Sequence, residues 1–101
     1  MTTTHRIDKF SVPADSMDEF LERVHHTHAL LGDQPGILRN EVMTLTDGPS
    51  EFNVVTTVTW ESVDALADAG HVVAEDAART DFDRAAFLTR LGVRGDFGTY
   101  R

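Results

Sequence analysis

The chain has no cysteine. Disulfides, thiolate zinc sites and a cysteine nucleophile are therefore excluded, and the composition fits a reducing compartment. No stretch approaches the roughly 20 apolar residues of a membrane-spanning helix, and MTTTHRIDKF at the N-terminus lacks an apolar signal core. Basic residues are scarce and scattered: nine Lys and Arg stand among seventeen Asp and Glu, for a net charge of −8. A nucleic-acid surface needs a basic stripe, so neither nucleic acid nor membrane is expected as a partner. No segment is rich enough in Pro, Ser and Gly to read as a linker. The 101 residues make one domain, 1–101, expected to be soluble and cytoplasmic. Its size is close to that at which a partner often completes the core.

What is present reads as alternating strands and helices. HRIDKFSV has strand composition and stops at Pro13. Asp15 or Ser16 can cap a helix whose apolar positions, Met17, Phe20, Leu21, Val24 and Leu31, share one stripe before Gly32 and QPG end it. GILRNEVMTLT and the β-branched EFNVVTTVTWE flank the turn DGPSE as a hairpin. SVDALADAGHVVAEDAART is helical with Ser62 as cap; Asp81 or Asp83 opens a shorter helix through Leu91, which Gly92 stops. GDFGTY suits a last strand. The order βαββαβ, with an extra short helix, is the ferredoxin-like α+β pattern: a four-stranded antiparallel sheet with helices on one face.

The third strand divides into Phe52, Val54, Thr56, Val58 and Trp60 on one face and Asn53, Val55, Thr57 and Thr59 on the other. In the first strand Phe10 and Val12 oppose Ile7. Apolar residues on both faces imply that both are covered. One helical layer covers only one, so a homodimer is expected.

Three of the five histidines fall in VHHTHALL. At about 100° per residue, His28 projects onto the inward stripe of the first helix, His25 onto its flank and His26 onto the opposite, solvent side. A metal site would need His25, His28 and a third ligand that nothing in the sequence supplies, so no metal is expected. The inward stripe of the second long helix, Leu66, Ala69, Gly70, Val73 and Ala77, is mostly small. Such a stripe either permits close packing or leaves space for a ligand, and periodicity does not separate the two. The orientations of Arg39, Asn40 and Tyr100 are likewise open.

VPA…EFL, HALL…QPGIL, FNVVTTVTWES and the RLG…Y ending, in this order and spacing, resemble the antibiotic biosynthesis monooxygenase family over nearly the whole chain. The resemblance implies a dimeric α+β barrel with a pocket in each subunit between sheet and helices. Its members include cofactor-independent oxygenases that turn aromatic polyketide phenols into quinones, others that degrade haem, and relatives without a known reaction. It therefore implies a cofactor-independent monooxygenase acting on a phenolic or polycyclic aromatic small molecule, with no cofactor. His28 would be the base and Trp60 the platform. Thr56, Leu66, Val73, Arg79, Phe20 and Val24 would form the substrate-binding wall, Arg79 lying near an arginine of the oxygenase pocket. Two positions depart from the quinone-forming members: Thr56 replaces an Asn four residues before the Trp, and Leu66 a Tyr six after it. The Trp and His of haem-degrading members fall near Ala69 and Arg79, so haem degradation is not expected. The alternative is a non-catalytic or cyclase-like dimeric barrel that binds a small hydrophobic metabolite.

Overall fold

In the computed structural model, which describes residues 2–101, the elements follow the expected order. They are β1 (Thr4–Ser11), α1 (Met17–Gly32), β2 (Ile37–Thr44), β3 (Val54–Trp60), α2 (Val63–Arg79), α3 (Arg84–Leu91) and β4 (Arg94–Tyr100), with a 3₁₀ turn at Ala14–Ser16 before α1. The strands form one antiparallel sheet in the order β2-β3-β1-β4. This is the ferredoxin-like fold.

The helix ends follow from side-chain chemistry, with one exception. Ser62 accepts the Ala65 N–H and Asp83 accepts the Ala86 N–H, each satisfying a free amide of a first turn. Gly92 ends α3 in the left-handed conformation at φ 72°. Ser16 does not cap α1; its hydroxyl donates to the Leu91 carbonyl at 2.9 Å and ties the start of α1 to the end of α3. β3 begins at Val54, three residues after the start of EFNVVTTVTWE, where the Asn53 amide is bonded to both backbone groups of Val12 at 2.8 Å. Between α1 and β2 the chain needs Gly36: its φ is 87°, and a Cβ there would lie 2.6 Å from that of Ala65.

Alternation along β3 is complete. Val54, Thr56, Val58 and Trp60 are buried under the helices, while Val55, Thr57 and Thr59 are half-buried on the other face. The buried side divides into two apolar clusters. One gathers Phe10, Val12, Phe20, Val54, Leu91 and Val93; the other is Val58, Trp60 and Ala69, with Leu31, Ile37 and Leu66 packed on it. Each large side chain buried here contributes about 1.5–3 kcal/mol. The opposite face carries Ile7, Val55 and Thr57 across its centre, with Met43 and Tyr100 exposed toward its edges. Among the described residues no helix is long and apolar enough to cross a membrane.

Candidate functional site

Between the two clusters the core opens into a cavity of about 420 Å³. Thr56 marks the break, since Val54 on one side of it belongs to the first cluster and Val58 on the other side to the second. Phe20, Val24 and His28 of α1 line the cavity, as do Thr56 and Trp60 of β3 and Leu66 and Val73 of α2. Ala69, Gly70, Ala74 and Ala77 complete the α2 wall. The stripe does two things: Ala69 is buried and packs with Val58 and Trp60, whereas Gly70 is exposed and a Cβ added there would meet nothing within 4 Å. Thr56 and Trp60 are both almost fully buried, and among the described residues the buried side-chain polar atom without a hydrogen-bond partner is Nε of Arg23, another residue of the cavity wall. Arg79 lies elsewhere. Its side chain is 71% exposed, it donates to Asp76 at 2.8 Å, and it is not part of the cavity wall.

His28 is oriented by Asn40 of β2. The Asn40 Nδ2 donates to the His28 carbonyl at 2.7 Å, which leaves its Oδ1 as the acceptor for the His28 ring Nδ1–H. An amide fixed at both ends selects the tautomer: the proton sits on Nδ1, and the lone pair is on Nε2. Burial pushes the His28 pKa below its ordinary value, more strongly than the Asn40 hydrogen bond and the Asp8 carboxylate raise it. At neutral pH the ring is an uncharged base on an apolar wall.

The other two histidines have different surroundings. His25 is exposed. His26 is exposed, as expected, and also places its Nε2 2.8 Å from Asp76 of α2. The contact arises because α2 runs beside α1 and brings Asp76 to the edge of its solvent side. Asp76 is 6% exposed, is also bonded by Arg79, and has the Arg23 guanidinium 3.7 Å away. The His26 hydrogen bond, followed by the charges of His26, Arg79 and Arg23, holds its carboxyl below the usual range against the opposing effect of burial. Among the described residues no three His, Asp or Glu side chains are grouped to hold a metal.

The polar side of the cavity was not anticipated. Arg6, Asp8, Arg23 and Arg84 all reach its wall. Arg6 Nε donates to Asp8 at 2.7 Å, and Arg84 lies 4.0 Å from the other Asp8 oxygen. The Arg23 guanidinium lies 3.5 Å from the centre of the Phe82 ring. A signal for two of these was present in β1: Thr4, Arg6, Asp8 and Phe10 alternate onto one face, so two charges fall on the buried side of a central strand. Charges so placed need a polar cavity or each other.

The arrangement combines a neutral imidazole, a flat indole, a buried threonine hydroxyl and a largely apolar volume of small-molecule size. Solved structures of the same fold include a protein of Methanosarcina mazei Go1 (15% identity, TM-score 0.75, 100% of this chain and 93% of that one). They also include SnoaB, a cofactor-independent oxygenase of Streptomyces nogalater (21%, 0.70, 100% and 93%). A third is MhuD, solved with two manganese protoporphyrin IX molecules per active site (17%, 0.70, 97% and 92%). At these identities the likeness establishes the fold. No curated protein matches the sequence. The antibiotic biosynthesis monooxygenase family profile matches residues 4–71, and the chain belongs to that family.

Proposed function

We propose that the protein is a cofactor-independent monooxygenase that oxidises a phenolic or polycyclic aromatic small molecule to a quinone. One observation carries this reading: His28, with Nδ1–H held by Asn40, lines the same apolar cavity as Trp60 and Thr56. His28 Nε2 takes the phenol proton, and Trp60 supports the ring by stacking. The Thr56 hydroxyl donates to the substrate oxygen. The phenolate gives one electron to O₂, and the resulting pair combines at the ring carbon para to the oxygen. Loss of water from that hydroperoxide leaves a quinone. One oxygen atom enters the ring and the other leaves as water, so the substrate itself supplies every electron that O₂ accepts. The SnoaB likeness supports the reaction type, and family membership supports a monooxygenase.

Two copies joined through the face of Ile7, Val55 and Thr57 would cover the apolar surface that the helices leave open. We place the homodimer there. Leu66, which offers the cavity a hydrocarbon side chain and no hydroxyl, favours a second reading: a non-catalytic or cyclase-like barrel that binds a hydrophobic metabolite.

Anaerobic mixing with 1,8-dihydroxyanthrone followed by oxygen separates the two. The oxygenase reading expects quinone well above the buffer rate and a fall of at least about a hundredfold in His28→Ala. Binding without quinone, or full turnover in His28→Ala, rejects it.

A further inference from the structure

The cavity has two chemically different sides. Trp60, Leu66 and Val73 are apolar, whereas β1 and the start of α3 bring Arg6 and Arg84 to the wall around a single carboxylate, Asp8. One carboxylate does not satisfy two guanidiniums. Arg6 uses only its Nε on Asp8, and Arg84 approaches to 4.0 Å without a hydrogen bond; the two side chains are 39% and 50% exposed, so their other N–H groups are open to solvent and to a ligand at the same place. Both guanidiniums also lie over the same Phe97 ring, at 5.9 and 4.5 Å from its centre. Attraction to one ring draws both guanidiniums to the same place, where a planar acceptor can meet both. This concentration of positive charge occurs in a chain of net charge −8, on the polar side of the cavity, where Arg23 adds a third guanidinium.

We infer that the ligand is an amphipathic anion: an aromatic body that lies toward Trp60 and a carboxylate held between Arg6 and Arg84. This rests on the reading of the cavity as the substrate site and narrows the substrate to an acidic aromatic. Asp8 then holds the two guanidiniums apart as a clamp. The local positive charge also favours the phenolate that His28 generates.

The test uses 2-naphthoic acid and its neutral near-isostere, 2-naphthamide. Trp60 is the only tryptophan in the chain, so its indole N–H gives a single assigned signal in a ¹H–¹⁵N spectrum of the ¹⁵N-labelled protein. The inference expects both compounds to shift that signal, the acid binding at least about tenfold more tightly than the amide, as charge-assisted hydrogen bonds dictate. In the Arg6→Gln/Arg84→Gln double variant the acid-to-amide ratio should fall to near one while the amide affinity holds. The backbone signals of the same spectrum report whether the variant is folded, and Arg84→Gln alone, on an exposed helix start, gives half the test if the double variant is not. Equal affinities in the wild type, or a preference for the acid that survives in the arginine variants, would overturn the clamp and leave the cavity reading standing. If neither compound moves the Trp60 signal, the cavity reading fails and the clamp fails with it.

Discussion

Replacing Asn40 by Asp tests how His28 is tuned. The carboxylate keeps an acceptor against His28 Nδ1–H but places a negative charge in hydrogen-bond contact with a half-buried ring. In the native protein burial outweighs the Asn40 hydrogen bond, so the His28 pKa lies below its ordinary value. An opposite charge at this range raises a pKa by about one to three pH units. The ordering of the two effects therefore reverses, and the His28 midpoint in Asn40→Asp should stand above that of an unfolded histidine. The sign of the stability linkage reverses with it. In the native protein the His28 contribution is present above the unfolded pKa and is lost as pH falls through the folded one. In the variant it is fully present below the unfolded pKa and is lost as pH rises through the folded one. An NMR titration of the His28 Cε1–H gives the midpoint directly, and Tm measured across pH 5–8 gives the linkage. Turnover of an oxidisable phenol should fall roughly tenfold at neutral pH for each unit by which the midpoint exceeds the assay pH, and recover in alkali. The variant also loses the Nδ2 donor to the His28 carbonyl, at a cost of about 0.5–1.5 kcal/mol. An unchanged midpoint would refute the Asn40–His28 contact as the control on this base.

Thr56→Val preserves shape and removes a hydroxyl on the cavity wall; stability should stay within about 1 kcal/mol of wild type while kcat/KM falls by about tenfold or more, read by thermal melts and turnover. Asp76→Asn should lower Tm at pH 7 by weakening the contacts of His26 and Arg79 across α1 and α2. Because the Asp76 pKa is lowered, its contribution is present above the unfolded carboxyl pKa and lost as pH falls, so the variant's Tm should decline less between pH 5 and pH 3. Light scattering at micromolar concentration should give twice the chain mass for the wild type and the single-chain mass for Val55→Asp, whose charge falls at the centre of the open face.

The sequence made the fold legible because each signal repeats at its own period. β3 alternates without a break, α1 keeps one apolar stripe, and Ser62, Asp83 and Gly92 end helices by their own chemistry. Most of the apolar cavity wall was legible for the same reason, since Phe20, Val24, His28, Thr56, Trp60, Leu66 and Val73 all face inward on their elements. Residues whose role depends on a neighbour from another element were not. The inward direction of Asn40 is set by the irregular start of β2, where the register shifts between Ile37 and Arg39. His26 is turned into a contact by α2, and Arg79 is drawn away from the cavity by Asp76. The small stripe of α2 both packs, at Ala69, and lines the cavity, at Val73 and Ala77, a division set by distances between elements and not by periodicity.

The claim that His28 activates a phenol for direct attack by oxygen is tested most directly by single turnover under ¹⁸O₂. With 1,8-dihydroxyanthrone each quinone should carry one ¹⁸O atom and form faster than in buffer, and in His28→Ala at no more than about one-hundredth of the wild-type rate. Quinone formed equally fast by wild type and His28→Ala, or at the buffer rate by both, would contradict it.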